Sequence, residues 1–167
     1  MSDQVSIRHG DPTDKLAVVR LFDAAMLDTD TDRLSRQLTA TDGLVLIATR
    51  EATPVGAIAL DAAATSDEER VDVSSNRVAV DSTRVDGDTD PVRITAIAVR
   101  RRRRDRGIGR ALIETAADRV APRPLTARFD ANVRPFYDAC GFEIDPHDDR
   151  YWGIRWPETT ASTERPQ

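Results

Sequence analysis

Residues 100–109 read RRRRRDRGIG, so six arginines and two glycines fall within ten residues. Guanidinium groups are forked, permanently charged donors suited to phosphate. A glycine has no Cβ, so an anionic oxygen can approach its backbone closely. Directly upstream, residues 94–99 (ITAIAV) form a short apolar run with β-branched members. Such a run reads as a largely buried strand. Downstream, Ile108, Leu112, Ala116 and Val120 recur at intervals of four, as on one face of a helix, and Pro122 and Pro124 stop it. The first turn of a helix carries N–H groups with no internal partner, and the helix dipole favours negative charge there. Strand, basic glycine-bearing loop and helix start together make an anion site.

The type of anion follows from the spacing. A P-loop needs Gly-Lys-Ser/Thr at the helix start, where this chain has Arg110-Ala111. A dinucleotide fingerprint needs a glycine directly after the strand and a small third residue. Here seven residues separate Val99 from Gly107, and Leu112 fills the third position. The pattern Arg104-x-x-Gly107-x-Gly109, after a strand ending at Val99, instead resembles the pyrophosphate loop of the GNAT superfamily of N-acetyltransferases. A second stretch, residues 135–142 (PFYDACGF), resembles the aromatic-Tyr-x-x-x-Gly-Phe helix end of the same superfamily.

One cysteine and two histidines make a metal site unexpected. The resemblance implies a co-substrate, acetyl coenzyme A. Its diphosphate would lie on Arg104, Asp105, Arg106, Gly107, Ile108, Gly109 and Arg110. Its pantetheine arm would pair with the strand end at Ile97, Ala98 and Val99, as a peptide adds to a sheet. A backbone N–H there would stabilise the oxyanion formed when an amine attacks the thioester. Tyr137 would protonate the departing thiolate. The family's coenzyme-contacting Asn lies seven residues before that Tyr; Asn132 lies five before it, which leaves a plain helix cap open for Asn132. The amine must lose a proton, since a free alkylamine has a pKa near 10. Residues 94–99 carry no ionisable group; Asp61, Asp90 and Asp130, near predicted strand ends, are candidate bases, beside proton loss to water.

The elements that must position these groups follow from periodicity. Residues 5–8 predict a first strand, and residues 16–26 a helix with one apolar side, capped by Asp11 or Thr13. A second short helix is expected over 31–38. Residues 43–50 and 55–60 predict a hairpin about a turn at 51–54, with a bulge at Gly56. Residues 63–93, rich in Asp, Ser and Thr, form an acidic insertion where the family has a short turn; a solvated loop and an extra hairpin or oligomer contact both stay open. A strand at 125–130, a short helix at 135–140 and final strands at 142–144 and 151–156 complete the domain. The expected fold is α/β (α+β): a GNAT-like mixed, mostly antiparallel central sheet with helices on both faces. One domain covers 1–157, with a disordered tail at 158–167. His9 and His147 are expected to be solvated, and Cys140, the only cysteine, to pack as a small apolar residue.

Composition narrows the remaining classes. The start of the chain lacks an apolar signal and no run is long enough to span a membrane, so a cytoplasmic protein without a membrane partner is expected. The resemblance implies a small-molecule or peptide amine as partner; a homodimer stays open. A net charge of −5 and a basic stretch without aromatics disfavour nucleic acid as ligand. The alternative to an acetyltransferase is a non-catalytic acyl-coenzyme-A-binding module. Aspartate occurs 22 times against 7 glutamates, and Lys15 is the single lysine against 23 arginines. Two origins give that signature: a halophilic surface kept soluble by carboxylates, and a GC-rich genome favouring Arg and Asp codons. Salt adaptation predicts that the unfolding midpoint rises from dilute buffer to molar KCl; equal stability in both rejects it.

Overall fold

The computed structural model describes residues 4–39, 43–61, 91–121 and 123–157. Seven strands form one sheet: β1 (Ser6–His9), β2 (Gly43–Arg50), β3 (Thr53–Asp61), β4 (Val92–Val99), β5 (Leu125–Phe129), β6 (Glu143–His147) and β7 (Arg150–Arg155). Their order is β1-β2-β3-β4-β5-β7-β6. Every pairing is antiparallel except β4 with β5. The expected mixed, mostly antiparallel sheet is the one observed. Helices α1 (Lys15–Ala24) and α2 (Thr31–Thr39) cover one face; α3 (Ile108–Val120) and α4 (Arg134–Ala139) cover the other.

Alternation along β3 builds both layers. Ile58 and Leu60 enter a core with Leu112, Ile113 and Ala116 of α3. Ala57 and Ala59 enter a core with Val18, Leu21 and Phe22 of α1 and Leu34 and Leu38 of α2. A central strand buried on both faces therefore reads as a near-continuous apolar run. At Gly56 a Cβ would come within 3.1 to 3.3 Å of the Ala98 carbonyl, Ile108 and Leu112, so a side chain there would push α3 off the sheet.

Aspartates order the chain ahead of α1 and α2. Asp11 accepts from the Thr13 amide at 2.8 Å and so caps a 3-10 turn, Pro12–Asp14, that leads into α1. α1 itself starts after Asp14 with no side-chain cap, so neither Asp11 nor Thr13 caps it. Asp14 takes both guanidinium nitrogens of Arg8 at 2.8 Å, and that bond holds its carboxyl below the usual carboxylate range. Asp30 accepts from the Asp32 and Arg33 amides and starts α2.

Three boundaries differ from expectation. The β2–β3 turn is only Glu51-Ala52, both at positive φ (49° and 64°), so β3 begins at Thr53. That is the backbone of a tight two-residue hairpin. The extra residue of the adjacent bulge is Val55, beside Gly56, since Pro54 pairs with Thr49 and Gly56 with Ala48. At the other edge β6 runs to His147 and the turn shrinks to Asp148-Asp149. The acidic stretch expected at 63–93 lies outside the described residues up to Asp90; Val92 and Arg93 already belong to β4. The tail at 158–167 also lies outside them. No helix among the described residues is long and apolar enough to cross a membrane.

Candidate active site

The site begins where two parallel strands part. β5 pairs with β4 only at Val92–Leu125 and Arg93–Thr126. Beyond Arg93 the strands diverge, and a cleft opens beside residues 96–99. Two hydrogen bonds fix which amides face it. The Val92 N–H donates to Pro124, on the β5 side, at 2.9 Å. The Arg100 N–H donates to Val55, on the β3 side, at 2.8 Å. In a regular strand both even-numbered amides would face the same way. The phase inverts at a bulge: Ala96 opposes Ala59 and Ile94 opposes Leu60, leaving Thr95 extra. Consequently Ala96 and Ala98 spend their amides on β3, while Ile97 and Val99 turn theirs to the cleft.

The loop after β4 starts with a 3-10 turn at Arg101–Arg103. Asp105 and Gly107 then take left-handed backbone, at φ 62° and 77°. Gly107 caps α3 without a side-chain bond, and the first intrahelical bond runs from the Ala111 N–H to Gly107 at 2.9 Å. The N–H groups of Ile108, Gly109 and Arg110 precede that bond and have no helical acceptor. A Cβ on Gly107 would meet nothing within 4 Å, so the space beside this helix start is open. Next to it lies a cavity of about 550 Å³ lined by Arg100, Arg101, Arg102, Arg103 and Arg106. Free backbone donors, an open glycine and arginines fit a phosphate-bearing ligand.

The two glycines serve different ends. Gly107 supplies left-handed backbone and open space. Gly109 admits a neighbouring ring: a Cβ there would stand 3.0 Å from Phe136 of α4. Arg104 folds back, its Nε donating to the Val99 carbonyl at 3.2 Å. Arg110 lies along the helix and pairs with Glu114 at 2.9 Å, so its amide rather than its guanidinium faces the loop.

Tyr137 sits in the core, 5 % exposed, rather than at a wetted helix end. Its ring stacks on Phe129 at 4.1 Å and meets Phe136 and Phe142 edge-on. Burial, with a smaller contribution from Cys140, raises the phenol pKa well above its ordinary value, so the hydroxyl stays protonated. Gly153 of β7 makes room for this cage, since a Cβ there would lie 3.0 Å from Phe129 and 3.2 Å from Phe142.

The candidate bases are all engaged or outside view. Asp61 pairs with Arg33 at 3.0 Å and accepts from Gln37 at 2.9 Å. Asp130 pairs with Arg150 at 3.1 Å, and Asp90 lies outside the described residues. Asn132 does not cap α4. It stands exposed in a separate 3-10 turn, Ala131–Val133, and Val133 precedes the helix. Cys140 is buried in the α3/α4 core, as expected of a small apolar residue, and His9 is exposed. His147 is only partly exposed, 3.8 Å from Asp148.

Thr95 and Gln37 escaped the sequence reading. The signal was present: large apolar residues fall at Val92, Ile94, Ile97 and Val99, and the interval of three marks the bulge.

The family profile described as "Acetyltransferase (GNAT) domain" matches residues 41–144. No curated protein sequence matches the chain. Among solved structures, Arabidopsis thaliana NAA60 in complex with acetyl-CoA is 17% identical, with a TM-score of 0.72 over 92% of this chain and 98% of that one. The PaiA N-acetyltransferase of Thermoplasma acidophilum, in complex with coenzyme A, is 12% identical, with a TM-score of 0.66 over 92% and 99%. The ribosomal-protein-S18-alanine N-acetyltransferase of Escherichia coli is 16% identical, with a TM-score of 0.63 over 90% and 91%.

The two glycines separate by experiment. Gly107→Val puts a β-branched residue at positive φ and fills the open space; coenzyme A affinity by calorimetry should fall about tenfold or more, the loss of one charged hydrogen bond. Gly109→Ala should cost about 1–3 kcal/mol of unfolding free energy through Phe136. Wild-type affinity in Gly107→Val would remove the helix start as the phosphate site.

Proposed function

Because this chain belongs to the GNAT acetyltransferase family, we propose that it transfers the acetyl group of acetyl coenzyme A to a primary amine within a ternary complex. The carrying observation is the cleft between β4 and β5, with the Ile97 and Val99 amides on one wall and the bare start of α3 at its mouth. Acetyl coenzyme A supplies an activated thioester carbonyl when bound. The N–H groups of Ile108, Gly109 and Arg110 hold the diphosphate, helped by Arg106 and the neighbouring arginines. The N–H groups of Ile97 and Val99 line the pantetheine arm and meet negative charge as it grows on the carbonyl oxygen. Ala98 contributes a wall but no donor.

Tyr137 is the proposed proton donor to the departing sulfur. Burial keeps the phenol protonated, so a proton is present to be given, while the same burial makes it a weak acid; transfer must therefore accompany C–S cleavage, as negative charge builds on the departing sulfur. The acceptor arrives as an ammonium. Asp61 and Asp130 are held by arginines, which leaves Asp90 or water to take the ammonium's proton. A peptide α-amine is one acceptor class, supported by the S18-alanine N-acetyltransferase among the similar structures; a small amine is the other. The same reading makes residues 1–157 one domain.

A thiol-release assay with acetyl coenzyme A against polyamines, amino acids, aminoglycosides and peptides tests the activity. Tyr137→Phe should lower turnover about 100-fold or more, the usual scale of general acid catalysis, with coenzyme A affinity within about twofold of wild type. Unchanged turnover would remove Tyr137 as the acid. Tight coenzyme A binding with no turnover on any amine would instead favour a binding module.

A further inference from the structure

The bulge that aims the cleft amides is held by a relay of side chains from the opposite helical layer. The Thr95 hydroxyl donates to the Ala59 carbonyl at 3.2 Å, across the bulge itself. It accepts at 3.0 Å from Nε2 of Gln37 on α2. The second N–H of the same Gln37 amide goes to Oδ1 of Asp61 at 2.9 Å. Oδ2 of Asp61 in turn takes Nε of Arg33, one helical turn back on α2, at 3.0 Å. Gln37 is 5 % exposed, and both its amide hydrogens have acceptors. A buried amide with each N–H satisfied in a single orientation is costly to rearrange.

The phase of β4 gives this relay a chemical consequence. Val92 and Ile94 face α3; Thr95 and Ala96 both face α1 and α2; Ile97 and Val99 face α3 again. Remove the bulge, and Ala96 and Ala98 would turn their amides to the cleft while Ile97 and Val99 bonded to β3. The donors would then stand one residue out of place, on the wrong side of the strand's pleat.

We infer that Gln37 and Thr95 are positioning residues for acyl transfer: they lock the β4 bulge and so direct the Ile97 N–H at the reacting carbonyl. The inference rests on the acetyltransferase reading. It assigns a catalytic consequence to a threonine and a glutamine that touch no substrate. The diphosphate site lies at the far end of the strand and does not depend on the bulge, so loss of the relay should weaken the chemical step more than coenzyme binding.

Thr95→Val keeps shape and removes the hydroxyl; Gln37→Met removes the amide at similar volume; Thr95→Ser restores the hydroxyl. A misaimed oxyanion donor loses part of the roughly 100-fold or greater effect of deleting one. Thr95→Val and Gln37→Met should therefore lower kcat about tenfold or more, with calorimetric coenzyme A affinity falling clearly less than kcat because the helix-start contacts remain, and Thr95→Ser should recover most of the loss. Amide hydrogen exchange reads the bulge without turnover: the Ala96 N–H, bonded to β3, should exchange at least about tenfold faster in Thr95→Val than in wild type. Variants that turn over within twofold of wild type, a Thr95→Ser as impaired as Thr95→Val, or coenzyme affinity falling in step with kcat would each overturn the inference. A wild type inert towards every amine defeats the acetyltransferase reading instead; unchanged exchange at Ala96 would still defeat the bulge lock.

Discussion

Backbone N–H groups need acceptors, and this fold withholds acceptors from a few of them. β5 leaves β4 after two residue pairs, so the β5-facing amides of Ile97 and Val99 find no strand. α3 starts on a glycine with no side-chain cap, so its first amides have no helical or capping acceptor among the described residues. Both sets lie along one path, from the middle of β4 through the arginine loop to the helix start. A ligand carrying carbonyls at one end and phosphates at the other satisfies the whole series. The rest of the structure keeps these donors in place while they wait.

Packing does most of that keeping. Gly56 lets α3 sit close over β3, and Gly109 lets the Phe136 ring close against the helix start. Phe136, Phe129 and Phe142 then enclose Tyr137. The same burial that orders the ring keeps its hydroxyl protonated, so rigidity and protonation state have one cause. On the other face, the Gln37 relay sets the phase of β4. Helices on both sides of the sheet thus converge on a few backbone atoms, which explains why the site needs few charged side chains of its own. The charge is gathered instead at Arg100, Arg101, Arg102, Arg103 and Arg106, around the mouth where an anion would enter.

Much of this was legible in the sequence, and the failures are instructive. The strand at 94–99, the loop and the helix at Ile108 carried local signals: β-branching, glycines and a spacing of four. Tyr137 stands out in the sequence because its motif is contiguous, but its burial among three phenylalanines does not. The reasons behind residues were harder to read. The missing Cβ of Gly109 reads in the sequence as room for phosphate, and it also makes room for Phe136, a contact between residues far apart in sequence. Asn132 looked like a cap, but a 3-10 turn intervenes. Gln37 reads as one more polar residue on a polar helix, since nothing local marks it as buried against Thr95. Candidate bases were guessed from strand ends, where Asp61 and Asp130 do lie, but their arginine partners come from other elements.

Residue-resolved amide hydrogen exchange, with and without saturating coenzyme A, tests the withheld-acceptor account most directly. It predicts that Ile97, Val99, Ile108 and Gly109 exchange freely in the unliganded protein and slow together, by about tenfold or more, when the coenzyme binds. Ala96 and Ala98, already bonded to β3, should change little. Coenzyme binding that leaves those four amides unprotected, or protects Ala96 and Ala98 in their place, would contradict it.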